Sequence, residues 1–261
     1  MSEVQVEVVE EGVLLVTVDR PRANAVDVPT SLALYDAFQR LEQDPDLRVG
    51  VLTGAGEAFF SAGWDLKAAA AGEAVDADHG PGGFGGLTEL FGRRKPVIAA
   101  VNGLALGGGF ELVLAADLVV AADHVELALP EVTLGIVADS GGLLRLPRRL
   151  PSVVAAELLL TGRRMTAAEA LERGVVNTVV PVGVLLDAAL DLARRVAAAA
   201  PLAVAAVLEV TEATAGLDVA AGFALLHDGE LAAYRTVLGS ADAREGPRAF
   251  AERRPPRWKG R

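Results

Sequence analysis

The 261-residue chain carries a formal charge of −11, is 52% hydrophobic and 23% charged, and contains no cysteine. That composition supports a sizeable core and excludes a disordered chain, disulfides, cysteine-ligated zinc and a thiol nucleophile. So acidic a surface repels nucleic acid, whose binding depends on phosphate neutralisation, and a polyanionic ligand would need local cation clusters such as Arg93-Arg94-Lys95 or the C-terminal basic residues.

In chain order, Val4–Val9 alternates, Val13–Val18 is nearly continuous, and Glu11-Gly12 between them predicts a hairpin. The acidic, alternating start does not read as a signal peptide. Thr30 or Ser31 is the expected cap of a helix with Leu32, Tyr35, Phe38 and Leu41 inward, stopped at Asp44-Pro45. Val49–Thr53 reads as a buried strand. Residues Ala68–Gly86, rich in Ala, Gly and Asp, offer little to a core and are expected to form a mobile loop beside a pocket.

The stretch Lys95–Glu131 is the centre of the chain: strand Val97–Val101, glycines Gly107-Gly108-Gly109, a helix opening at Phe110-Glu111, and a second apolar run Leu118–Ala122. Asn102, Glu111 and Asp117 interrupt its hydrophobicity, so it is not expected to span a membrane. A helix is expected to run through Arg145, with Pro147 and Pro151 as punctuation. Thr166-Ala167-Ala168-Glu169 is a capping box for a helix ending at Gly174, and Val175–Val180 reads as a strand. The remainder is helical in segments at about 184–199, 202–214, 218–238 and 241–252, with apolar faces suited to a subunit interface.

Two carboxylates in apolar surroundings, Glu111 and Glu131, flank the glycine turn. Burial raises a carboxyl pKa towards neutrality and suits it to acid–base work. Amides at a helix start lack intrahelical partners and can hold a developing enolate oxygen. His79, His124 and His227 show no metal-ligand spacing and are expected to be structural or solvated. Gly82-Gly83-Phe84-Gly85-Gly86 follows no strand and is not a dinucleotide fingerprint.

Asp19-Arg20-Pro21 with Asn24-Ala25, Phe60–Lys67, Lys95–Gly103, Gly107–Glu111, and Pro130-Glu131 with Leu134-Gly135 together resemble the enoyl-CoA hydratase/isomerase (crotonase) family over essentially the whole chain. The resemblance implies an α/β fold: a spiral of ββα units at about 1–195, holding the CoA-thioester site, and a C-terminal helical trimerisation region at about 196–261. It implies a homotrimer or a hexamer built as a dimer of trimers, a cytoplasmic enzyme, and no cofactor or metal, coenzyme A being part of the substrate. By motif position the thioester oxygen would sit between the amides of Trp64 and Gly108, with Glu111 and Glu131 as catalytic carboxylates. Keeping both carboxylates favours reversible hydration over isomerisation, hydrolysis or decarboxylation.

Ser61–Ala70, Gly72-Glu73-Ala74, Asp76-Ala77-Asp78, Gly80–Phe84, Gly86–Glu89, Asp139–Gly142, Arg145-Leu146-Pro147 and the C-terminal Glu245–Arg261 resemble the carnitinyl-CoA dehydratase branch of the family; Ala138 departs from a proline usual there. This implies an acyl group bearing a trimethylammonium. An indole face holds such a cation, which makes Trp64 a candidate, with Asp76, Asp78 or Glu89 adding charge. CoA contacts carried over by motif are Arg22, Ala23 and Ala25, then Ala62, Asp65 and Leu66, with Lys67 as a phosphate partner. The alternatives are a general enoyl-CoA hydratase and a non-catalytic binding member of the fold.

Overall fold

The computed structural model describes residues 3–228 and 230–261. Strands β1 (Val4–Glu10) and β2 (Val13–Val18) form the expected antiparallel hairpin. Helix α1 (Val28–Gln43) is capped by Asp27, whose side chain accepts the Thr30 N–H, and not by Thr30 or Ser31 themselves. Its buried stripe is Leu34, Ala37, Phe38 and Leu41, while Leu32 is exposed. Which face turns inward is set by what packs on the helix, and Asp27 is itself fixed by Arg20 at 2.6 Å.

The chain then alternates between two sheets. Strand β3 (Val49–Gly54) enters a large sheet and β4 (Phe59–Ser61) a small one, followed by the short helix α2 (Leu66–Ala70). Strands β5 (Val97–Val101) and β6 (Leu104–Leu106) repeat the pattern and lead into helix α3 (Gly108–Ala115); β7 (Leu118–Ala122) and β8 (Glu126–Ala128) repeat it again. Helices α4 (Gly142–Arg149) and α5 (Ser152–Thr161), strand β9 (Met165–Thr166), helix α6 (Ala167–Glu172) and strand β10 (Thr178–Val180) complete the turns. The large sheet has the order β1-β2-β3-β5-β7-β10 and the small one β4-β6-β8-β9. Strands β2 to β10 of the large sheet run parallel. This is the expected spiral of ββ and ββα units.

The parallel strands are covered on both faces, which is why β5 (VIAAV) is apolar without alternation and wholly buried. Helix α7 (Leu185–Ala197) packs on β2, β3, β5 and β7. Helix α3 lies against β4, β5 and β6, and all eight of its residues are buried. A helix apolar all round belongs inside, and Glu111 is its one ionisable residue.

Helices α8 (Pro201–Thr214), α9 (Val219–Asp228), α10 (Ala232–Gly239) and α11 (Ala241–Ala251) form the tail. The helix expected over 218–238 is thus two, α10 starting after the extended Leu231. Helix α4 runs past Arg145 and through Pro147. Arg149 holds its end by donating to the carbonyls of Leu114 and Ala116 at 3.0 and 2.9 Å, a tertiary anchor that offsets the missing proline N–H. The strand expected over 175–180 is confined to Thr178–Val180, because Val175 and Val176 instead donate to the Ala170 carbonyl and close α6. Among the described residues no single helix is long and apolar enough to cross a membrane.

Candidate active site

Strand β6 ends on Leu106 and the chain turns at Gly107 into α3, so the first amides of α3 point out of the helix end without intrahelical acceptors. Gly108 N–H is the outermost of these, and no acceptor for it occurs among the described residues. The Trp64 amide is in the same position: its neighbours are engaged, Val26 N–H donating to Gly63 O at 2.8 Å and Asp65 N–H to Val26 O at 2.9 Å, while its own N–H faces away from that bridge.

Gly63 brings these two amides side by side. It has φ +79°, and a Cβ there would lie 2.7 Å from Gly108 N and 2.6 Å from Leu106 O. A Cβ on Gly108 would lie 2.4 Å from the Phe84 ring. The close approach of backbone to backbone and of ring to backbone is the physical reason for glycine at both positions. Two neighbouring N–H groups without acceptors among the described residues are able to receive an oxyanion.

Both carboxylates open onto this point. Glu111 is 3% exposed and accepts the Gly142 N–H at 2.7 Å through Oε1. Burial pushes its carboxyl up to about 8, the Gly142 hydrogen bond opposes this, and the nearby Glu131 and Asp139 reinforce it. Glu131 sits on a single 3-10 turn, Glu131–Leu134, that follows Leu129-Pro130. Its carboxyl is also raised, first by burial and then by Asp139. Its Oε2 is buried with no hydrogen-bond partner among the described residues, and its Oε1 lies over Gly107. A buried carboxylate oxygen without a donor is costly, and a reacting proton is what would satisfy it.

Trp64, Gly108, Glu111, Glu131, Ala62 and Leu66 line one cavity of about 330 Å³. The remaining expected CoA contacts, Arg22, Ala23, Ala25, Asp65 and Lys67, lie outside that lining. Ala23 accepts the Ala62 N–H at 2.9 Å, Ala25 accepts from Arg20, and Arg22 is exposed in a left-handed conformation at φ +84°. The loop of Arg22, Ala23 and Ala25 is thereby joined to the Ala62–Asp65 strand end. Asp65 is committed elsewhere, paired with Arg20 at 2.7 Å and capping α2 through the Lys67 N–H. Burial works against its charge, but those bonds prevail and hold its carboxyl below the usual range. Lys67 is exposed on α2.

The loop after Trp64 differs from the mobile, core-poor segment expected from composition. Its inner part is not short of packing: Gly82 to Thr88 are buried, with Phe84 under Gly108 and Gly85 against Leu112. Glycines, lacking Cβ atoms, let this segment lie flush on α1 and α3, which composition counts against a core. Of the two expectations for His79, structural or solvated, its contacts match the first. It is half-buried, lines the cavity, meets Phe84 edge-on at 5.1 Å, and places Nδ1 2.8 Å from Ser31 Oγ. Ser31 Oγ also accepts the Gly85 N–H at 3.0 Å, and a proton given by Ser31 to His79 Nδ1 would suit a neutral imidazole. Burial lowers the His79 pKa in the same sense, against the pull of Glu73, Asp78, Asp27 and Asp139.

Among the described residues six carboxylates line the cavity (Asp76, Asp78, Glu89, Glu111, Glu131 and Asp139), and no Lys or Arg does. Sequence reasoning named five of the six; Asp139 was noted only within a motif. Ser31 and His79 had no usable signal, because their contact spans 48 residues.

The enoyl-CoA hydratase/isomerase family profile matches residues 8–261. The chain belongs to this family. It is 60% identical over 248 residues, 95% of either chain, to a carnitinyl-CoA dehydratase of Salmonella arizonae. Among solved structures, enoyl-CoA hydratase from Mycobacterium tuberculosis H37Rv superposes with a TM-score of 0.90 at 46% identity, and carnitinyl-CoA hydratase from Mycobacterium avium with 0.77 at 44%, each covering 99% of both chains. Membership and these relatives make the chain an enzyme of the CoA-thioester hydro-lyase class.

Proposed function

We propose that the enzyme catalyses the reversible dehydration of carnitinyl-CoA to crotonobetainyl-CoA. The observation that supports this reading is the cavity lining, which among the described residues has two buried carboxylates beside two unpaired amides, with aromatic residues and further carboxylates around them and no Lys or Arg. Such a wall favours a trimethylammonium group and penalises an anionic acyl end. The likeness to the Salmonella dehydratase supports the same substrate.

In the proposed mechanism the thioester oxygen lies between the amides of Trp64 and Gly108. Glu131, through its unpartnered Oε2, removes the α-proton, and the amides hold the enolate. Glu111 keeps its proton at neutral pH because burial raises its pKa to about 8, and it delivers that proton to the departing β-hydroxyl. The Gly142 N–H occupies Glu111 Oε1, leaving Oε2 as the proton's site. In the hydration direction Glu111 takes a proton from water as it adds to the β-carbon, and Glu131 returns one to the α-carbon. Oxyanion donors of this kind contribute about 2.7–4 kcal/mol each.

The CoA chain would leave past Ala62 and Leu66 towards the outer loop of Arg22, Ala23 and Ala25, with Lys67 and Arg22 available to its phosphates and Asp65 holding the strand end in place. Exposed Phe223, Leu238 and Phe250 on α9, α10 and α11 would be covered in a homotrimer or a dimer of trimers. A cytoplasmic location is part of the same proposal.

The deciding experiment compares turnover of crotonobetainyl-CoA and crotonyl-CoA by one preparation of the enzyme. A higher kcat/KM for crotonobetainyl-CoA is expected. Equal or higher kcat/KM for crotonyl-CoA would instead mark a general enoyl-CoA hydratase, and no turnover of either would point to a non-catalytic member of the fold.

A further inference from the structure

One carboxylate close to the site does not line the cavity. Glu73 follows α2 in the turn beyond Trp64, its backbone held by a hydrogen bond from its N–H to Ala68 O at 3.0 Å. Its side chain bridges two elements. Oε1 accepts the indole Nε1–H of Trp64 at 2.7 Å, and Oε2 accepts the N–H of Val28, the first residue of α1, at 3.1 Å. The positive end of a 16-residue helix therefore fixes one oxygen while the other fixes the ring.

This contact does three things to Trp64. The polar edge of the indole is satisfied by Glu73, so what the ring has left to offer a ligand is π surface and apolar edge. The orientation of the ring is set by a charge-assisted bond, stronger than a neutral one. Donation to an anion also polarises the ring and deepens the negative potential over its face, as hydrogen-bonded groups polarise one another. Each change improves the indole as a seat for a cation. Held at both oxygens, Glu73 cannot swing into the cavity without breaking two hydrogen bonds.

We propose that Glu73 is a positioning residue for recognition of a cationic acyl group, acting on the substrate through the Trp64 indole. The inference rests on the cationic-substrate reading above, but its test is separable. The quantity to measure is the ratio of kcat/KM for crotonobetainyl-CoA to that for crotonyl-CoA. The wild-type value tests the substrate; the change on substitution tests Glu73.

Glu73→Gln keeps an acceptor for the indole N–H and removes the charge. It is expected to lower the ratio roughly threefold or more, with the loss in KM for the cationic thioester. Both rates come from one preparation, so a partly folded variant lowers both and leaves the ratio unchanged. The same substitution in a Trp64→Phe background, which has no indole N–H, is expected to leave the ratio where Trp64→Phe alone puts it. An unchanged ratio in Glu73→Gln overturns the proposal. A drop of equal size in both backgrounds overturns it too, since Glu73 would then act by its charge across space and not through the ring.

Discussion

The central stretch from β5 to Glu131 and the loop from Leu66 to Thr88 meet at Gly108, where the Phe84 ring closes against the helix start, yet they are held in opposite ways. The central stretch is tied by sheet ladders on both sides, and every residue of β5 and α3 is buried. The loop has no ladder and only short helical turns; it is held by side chains, with Glu73 on Trp64 and Val28, and Ser31 on Gly85 and His79. The difference separates two demands. Proton transfer and oxyanion binding need positions fixed to a fraction of an ångström, which a sheet-anchored helix end supplies. Selection of the acyl group needs shape and charge, and a loop can vary these without disturbing the strands.

The largest break expected in this picture is on the rigid side. Glu131→Gln or Glu111→Gln should lower kcat by about 10²–10⁴-fold in both directions of the reaction. If both variants kept near-normal turnover, the division of roles between the carboxylates would be wrong. Next is Gly63→Ala, in which a Cβ meets Gly108 N and Leu106 O at an unfavourable φ. It should cost about 10²–10³-fold in kcat by separating the two amides, and steady-state rates on the folded variant would show it.

A third test concerns stability. The folded pKa of Glu111, about 8, lies above its unfolded value, so the neutral carboxyl's contribution is fully present below about pH 4 and is lost as pH rises through about 8. Glu111→Gln removes this dependence. Its Tm relative to wild type should therefore rise between acidic pH and pH 9, and a difference independent of pH would place the raised pKa in error.

The smallest effect distinguishes the loop from the core directly. Ser31→Ala leaves the buried Gly85 N–H without an acceptor and should cost about 1–3 kcal/mol in denaturant unfolding. Loss of that size means the inner loop unfolds with the core. No loss would mean the loop is held independently of it.

Much of the site was legible beforehand because its signals are local. A glycine cluster between an apolar strand and a helix implies exposed amides, and a Glu in an otherwise apolar helix implies a perturbed carboxyl. Glu111 and Glu131, twenty positions apart, could be paired through motif resemblance, and they do open onto one cavity. Legibility failed where contacts are distant. The loop looked core-poor because its glycines pack by lacking side chains, whereas the α1 cap had a local signal, Asp27 ahead of Pro29, that was passed over for Thr30 and Ser31.

By itself, then, the sequence determined the family, the alternation of apolar strands with helices, and the residue types able to stabilise an enolate and move protons; these follow from propensity, periodicity and motif order. Tertiary structure decided that the amides of Trp64 and Gly108 stand together, that Glu131 Oε2 lacks a partner among the described residues, that His79 meets Ser31, and that Glu73 reaches the indole. Each of these depends on distance and burial between segments far apart in the chain, and neither quantity is carried by local sequence.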